Sequence, residues 1–118
     1  MAAKDVLGRR GEDLAVDYLR RHGYRLLQRN WRCRQGEIDV IAARGDETVF
    51  VEVKTRTSTG YGHPFEAITA SKLARLRRLA AAWCAESDTP VGRIRIDAIA
   101  VLAPQGVPAS IEHLEGVR

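Results

Sequence analysis

The stretch GEIDVIAARGDETVFVEVKTR, residues 36–56, decides the fold. Two runs within it, 37–43 and 47–55, are rich in β-branched residues, which favour strands. Between the runs stand Gly45 and Asp46, residue types that suit a two-residue hairpin loop. The stretch therefore predicts an antiparallel β-hairpin.

The turn alone sets the register of this hairpin. Counting outward from it gives the expected pairs Arg44–Glu47, Ala42–Val49, Val40–Val51 and Asp39–Glu52. Directly opposed residues have Cβ atoms about 5 Å apart, so two opposed carboxylates repel each other unless a proton or a cation joins them. Strand alternation puts Lys54 on the same face as Glu52, and Glu37 on the same face as Asp39. The hairpin therefore predicts a charged cluster that favours a bound metal ion.

Hydrophobic periodicity and turn residues predict the elements on either side of the hairpin. They are a helix over 4–21, an exposed strand over 24–34, a loop over 55–64, a helix over 69–86 capped by Thr69, a strand over 93–102 and a short last strand over 111–114. The order is helix, three strands, helix, and one or two strands. It predicts an α/β fold in which a mixed central sheet is flanked by helices.

Length and composition indicate one globular domain spanning residues 1–118. A chain of 118 residues with 45% apolar and 29% charged residues is ordinary for such a domain. No run of residues approaches the roughly 18 apolar residues that a membrane span needs, and residues 1–10 lack the apolar core of a signal peptide. We therefore expect a cytoplasmic protein in which Cys33 and Cys84 stay as thiols.

The charge balance favours a polyanionic partner. The formal net charge is +4 and the pI is near 9.5, which suits the binding of phosphates. A general preference for arginine is an alternative source of this basicity, since the chain has 16 Arg and only 3 Lys. Against that background Lys54 and Lys72 are informative. Lys72, Arg56, Arg32 and Arg75 are the residues from which we expect contacts with nucleic acid. For Lys72 an equal alternative is a lysine whose stem packs along the apolar stripe of its helix while the ammonium stays in water.

The first helix offers a further carboxylate. Glu12 lies on the margin of its apolar stripe, whereas Asp13 points nearly opposite. Gly8 and Gly11 lower the helix propensity beside Glu12, which predicts that another backbone or a ligand approaches closely there.

The types of these candidate ligands indicate the metal. Hard oxygen ligands without a His or Cys cluster suit Mg²⁺ or Mn²⁺. His22, His63 and His113 share no ligand spacing, and Asp97, within an apolar strand, is expected to be a buried, hydrogen-bonded structural carboxylate. A Glu-x-Lys triplet also arises by chance on solvated strands, so the prediction depends on Asp39 standing opposite Glu52.

Three motifs resemble one known family. Gly11-Glu12, Gly36-Glu37-Ile38-Asp39 and the run FVEVKTR at 50–56 resemble the YraN family of small bacterial proteins, and the match covers nearly the whole chain. That family is similar to the archaeal Holliday junction resolvases and, more distantly, to type II restriction endonucleases. All of them share the PD-(D/E)xK nuclease core.

The resemblance implies roles for individual residues. Asp39 and Glu52 match the metal-binding acids, Lys54 the lysine of the motif and Glu12 the helical acid, while the carbonyl of Val53 completes the coordination. Ile38 stands where the motif has its proline, which removes no ligand.

The resemblance also implies an activity. The activity is that of a Mg²⁺- or Mn²⁺-dependent endonuclease acting on DNA, including branched or recombining structures. The resemblance implies a homodimer as well, because resolvases cut two equivalent strands. Two alternatives stay open. One is a nucleic-acid-binding or DNA-processing accessory protein with this fold but without turnover. The other is a structural or protein-interaction domain in which Glu52 and Lys54 form a surface ion pair.

Overall fold

The structure is a computed structural model that describes residues 3–58, 60 and 62–118. Its elements are α1 (Ala3–Arg21), β1 (Arg25–Cys33), β2 (Gly36–Arg44), β3 (Glu47–Arg56), a 3₁₀ turn (Pro64–Ala67), α2 (Ala70–Glu86), β4 (Arg93–Leu102) and β5 (Ser110–Leu114). This order confirms the predicted α/β fold. The predicted loop over 55–64 includes residues 59 and 61, which lie outside the described residues. No helix in the described part of the chain is long and apolar enough to cross a membrane.

The five strands form one mixed sheet in the order β1-β2-β3-β4-β5. Three neighbouring pairs are antiparallel, and β3 and β4 run parallel. This sheet, flanked by two helices, is compatible with a restriction-endonuclease-like core. The hairpin register is confirmed over the pairs Arg44–Glu47, Ala42–Val49 and Val40–Val51.

The hairpin register ends sooner than predicted. Beyond Val40–Val51 the described residues form no further ladder pair between β2 and β3, so the expected Asp39–Glu52 pair is wrong. The reason is that each strand keeps only its outer partner: Ile38 pairs with Trp31 of β1, and Glu52 pairs with Ala98 of β4. The two central strands therefore part at Asp39.

The sheet packs a helix on each face. The cluster on the α1 face includes Ala15, Leu19, Val40, Val51 and Ile99, and the cluster on the α2 face includes Trp31, Ile41, Phe50, Leu76 and Leu79. Trp31 is only 8% exposed, so the prediction of an exposed β1 is wrong at this position. Thr69 caps α2 as predicted, since its hydroxyl oxygen accepts a 3.2 Å hydrogen bond from the Lys72 amide.

Asp97 is fully buried and hydrogen-bonded, as predicted. Its carboxylate accepts 2.8 Å bonds from Arg95, a 2.9 Å bond from the Gly116 amide and a 2.6 Å contact from His113 Nε2. Burial alone would raise the pKa of Asp97, but these hydrogen bonds outweigh burial and hold the pKa below its usual range. This network links β5 and the residues that follow it to β4.

Candidate functional site

The candidate site lies where β2 and β3 part. Asp39 cannot continue the strand ladder there, and its side chain accepts a hydrogen bond from the backbone of the neighbouring strand. The Val53 amide donates to Asp39 Oδ2 at 2.8 Å. The carboxylate is thus held directly beside the segment that carries Glu52 and Lys54.

Asp39 is a perturbed acid. Burial is the largest cause that raises its pKa, and the negative charge of Glu52 is the next, while the hydrogen bond from Val53 acts in the opposite direction. Glu12 and Glu37 add smaller repulsions, and together these effects raise the pKa of Asp39 from 3.8 to about 7. A nearby cation would therefore stabilise the charged form of this carboxylate at neutral pH.

Lys54 and Glu52 form an ion pair of 3.3 Å between Nζ and Oε1. Both side chains are largely shielded from solvent, with 22% and 17% of their surfaces exposed. Lys72 of α2 lies close enough to Lys54 that the charge of Lys54 is the main cause lowering the pKa of Lys72. The structure therefore brings the two informative lysines together on the α2 side of the site.

Glu12 reaches the site from α1. The helix lies close to β3 because Gly11 has no side chain: a Cβ there would stand 1.9 Å from Thr55 Oγ1. The predicted close approach is confirmed at Gly11, whereas at Gly8 a Cβ would meet nothing within 4 Å. No backbone of the described residues approaches Gly8, but Gly8 lines the pocket beside Glu12, so the approach of a ligand there stays a prediction.

Sequence reasoning missed the two residues that hold Glu12. Oε1 of Glu12 accepts bonds from Arg29 Nε at 3.1 Å and from Asn30 Nδ2 at 2.9 Å, and Arg29 also pairs with Asp13 at 2.7 Å. No local pattern connects β1 to α1. The sole sequence signal is an Asn within a strand, where this residue type is disfavoured.

A pocket of about 510 Å³ opens at this place. Its lining includes Glu12, Asp39, Val53, Lys54, Arg56 and the hydroxyl-bearing Thr57 and Ser58. Glu52 is not in the lining and lies beside it, paired with Lys54. The pocket thus combines carboxylates, cations and hydroxyls, groups that can bind a phosphate together with a cation.

The donor set fits Mg²⁺ or Mn²⁺ with two carboxylates. Among residues 3–58, 60 and 62–118, no three His, Cys, Asp or Glu side chains are grouped closely enough to hold a metal ion by themselves. Mg²⁺ nevertheless keeps several waters and is usually held by one or two carboxylates plus phosphate oxygens. Asp39 and Glu52 can supply these two carboxylates, and Glu12 has only Oε1 engaged by Arg29 and Asn30.

The predicted nucleic-acid contacts fall into two groups. Arg56 lines the pocket and Lys72 lies near Lys54, so both are at the site. Arg32 pairs with Glu37 at 2.7 Å, and Arg75 approaches Gly36 from α2, so these two lie by the β1–β2 turn. The structure does not bring the second group to the pocket.

The chain is similar to bacterial proteins of one family. The profile of "Uncharacterised protein family UPF0102", the YraN family, matches residues 11–101. A UPF0102 protein of Leifsonia xyli subsp. xyli is 57% identical over 117 residues, covering 99% of both chains. One from Arthrobacter sp. is 54% identical over the same length and coverage, and one from Frankia casuarinae is 47% identical over 116 residues, or 98% of both chains. None of these names states an activity.

Proposed function

The chain belongs to the uncharacterised protein family UPF0102, and we propose that it is a Mg²⁺- or Mn²⁺-dependent endonuclease that hydrolyses phosphodiester bonds of DNA. In this proposal the whole chain, 1–118, is one domain of the PD-(D/E)xK nuclease type. One observation carries it: Asp39 lines a pocket of mixed charge and accepts a 2.8 Å hydrogen bond from the Val53 amide, between Glu52 and Lys54 in the sequence of β3, which form an ion pair. The raised pKa of Asp39 agrees with this arrangement.

The metal ion would be held by Asp39, Glu52 and the carbonyl of Val53, with Glu12 as a further acid. Such an ion polarises a phosphoryl oxygen and lowers the pKa of a bound water. Burial of Asp39 and its repulsion with Glu52, which persists although Lys54 pairs with Glu52, support this assignment.

Lys54 is the proposed catalytic cation. Its ammonium, 3.3 Å from Glu52 Oε1, can donate a hydrogen bond to a phosphate oxygen or to the attacking water, and can offset negative charge that develops in the transition state. Arg56 in the pocket lining and Lys72 near Lys54 add positive charge, and the hydroxyls of Thr57 and Ser58 can donate to the phosphate backbone. These groups favour a polyanionic substrate over a neutral one.

A second candidate function is a nucleic-acid-binding or DNA-processing accessory protein with the same fold. One observation favours it: the described residues hold no group of three potential metal ligands, and Lys54 already satisfies Glu52. In that case Lys54, Arg56 and Lys72 bind the phosphates of the nucleic acid. The carboxylates of Asp39 and Glu12 repel these phosphates and so restrict the path of the bound strand.

A cleavage assay tests the proposal. Labelled single-stranded, duplex, flap and four-way-junction DNA are incubated with Mg²⁺ or Mn²⁺ and with the wild type, Asp39→Asn, Lys54→Ala or the control Asp46→Asn in the exposed hairpin turn. We expect cleavage by the wild type and the control, and loss of cleavage in the other two variants. Binding by all four proteins without cleavage by any would instead favour the accessory function.

A further inference from the structure

Asn30 has an unusual backbone conformation. Its φ is +52°, and it is the one non-glycine residue with positive φ among those the structure describes. This left-handed region is disfavoured for L-residues, although Asn tolerates it better than most. Such a conformation within a strand persists only where the surroundings impose it, and it is often found at functional sites.

The position of Asn30 relates it to the candidate site. In the β1–β2 register Arg29 pairs with Val40 and Trp31 pairs with Ile38, so Asn30 stands across from Asp39. The irregular backbone therefore occurs at the same level of the sheet where β2 and β3 part.

The side chains of Arg29 and Asn30 converge on one oxygen of Glu12. Arg29 Nε and Asn30 Nδ2 both donate to Oε1, at 3.1 Å and 2.9 Å, and the Glu12 side chain is only 14% exposed. Within the described residues no donor binds Oε2. Glu12 lines the same pocket as Asp39, so its second oxygen is available to a ligand there.

We propose that Asn30, together with Arg29, is a positioning residue that holds Glu12 at the pocket with Oε1 occupied and Oε2 left for the ligand. The inference rests on the proposed function. Gly11 fixes the helix against Thr55, whereas Arg29 and Asn30 fix the carboxylate itself. Groups that orient a ligand-binding side chain in this way affect metal affinity without touching the metal.

Calorimetric titration of the full chain with Mn²⁺ tests the inference. The variants are Asn30→Gly, Glu12→Gln and their double mutant, with Gln28→Ala on the same strand as control. Glycine adopts the left-handed conformation without strain, so Asn30→Gly removes only the amide. We expect Asn30→Gly to raise the Kd for Mn²⁺ about 10-fold with no loss of Tm. The double mutant should bind as weakly as Glu12→Gln alone, because Asn30 acts through Glu12, and the control should bind like the wild type.

The outcomes separate the two proposals. If the wild type binds Mn²⁺ and Asn30→Gly binds it equally well, the inference on Asn30 is overturned and the proposed function stands. The inference is also overturned if the Kd of the double mutant rises by the product of the two single-variant factors, because Asn30 would then act independently of Glu12. A wild type that binds no Mn²⁺ at all would overturn the metal-dependent function, and the role of Asn30 with it.

Discussion

Gly11 of α1 and Thr55 of β3 approach so closely that a methyl group at Gly11 would stand 1.9 Å from Thr55 Oγ1. This contact sets how far Glu12 reaches over the sheet. Gly11→Ala forces the helix or Thr55 to move, so we expect a loss of about 1–3 kcal/mol in the free energy of unfolding, measured by urea denaturation.

Two variants accompany this prediction. Gly8→Ala is the matched control, since a Cβ there meets nothing within 4 Å, and it should stabilise the helix by about 0.5–1 kcal/mol. Adding Thr55→Ala to Gly11→Ala should restore part of the lost stability. Equal losses in the two glycine variants would contradict the contact.

Asp39 links metal binding to stability. Mg²⁺ or Mn²⁺ that neutralises its repulsion with Glu52 should raise the Tm of the wild type. At a free metal concentration of about 100 times the Kd, the gain in the free energy of unfolding is about 2.7 kcal/mol. Asp39→Asn keeps an acceptor for the Val53 amide and removes the charge, so the rise should vanish while the variant stays folded. Differential scanning fluorimetry with and without metal measures both. A similar rise in both proteins would place the metal elsewhere.

The raised pKa of Asp39 predicts a pH dependence without metal. Its folded pKa is about 7, whereas its unfolded pKa is near 3.8, so the folded state binds the proton more tightly. The resulting stability is fully present below about pH 4, is lost as the pH rises to about 7, and changes little above that. Relative to Asp39→Asn, the wild type should lose on the order of 4 kcal/mol over this window, since each pKa unit corresponds to about 1.4 kcal/mol. The measurement is the Tm of both proteins from pH 4 to pH 8 without metal. The same change of Tm with pH in the two proteins would contradict the prediction.

Asp97 holds the charge network that joins β4 to the C-terminal segment. Asp97→Ala leaves Arg95 and His113 without their buried acceptor, so we expect a loss of about 3–5 kcal/mol by urea denaturation. Asp46→Asn, which disturbs the exposed pair with Arg93, is the control and should leave stability unchanged. A small effect for Asp97→Ala would mean that water replaces the lost partner.

The sequence predicted those features that depend on neighbouring residues. The Gly45–Asp46 turn was enough to place Val40 opposite Val51, and Thr69 was recognised as a helix cap. The placement of Lys72 beside Lys54 could not be read from the turn, because it depends on how α2 packs on the sheet.

The errors arose where partners are distant in the sequence. The counted register continued to Asp39–Glu52, whereas the pairing of β2 with β1 and of β3 with β4 separates the strands at that point. The bonds from Arg29 and Asn30 to Glu12 also join segments that no local pattern relates. The roles of Asp39, Glu52, Lys54 and Glu12 stay predictions that the experiments above address.

The parallel pairing of β3 with β4 has a consequence for how the chain acquires its structure during synthesis. The β2–β3 hairpin can form as soon as its own residues are made, but β3 gains its second neighbour only after α2 and β4 have followed. Closing so long a connection slows folding. A nascent chain that stops before Arg93 therefore exposes an unpaired edge beside Glu52 and Lys54. Amide hydrogen exchange on stalled chains should find the β3 amides on this edge unprotected until the C-terminal quarter emerges.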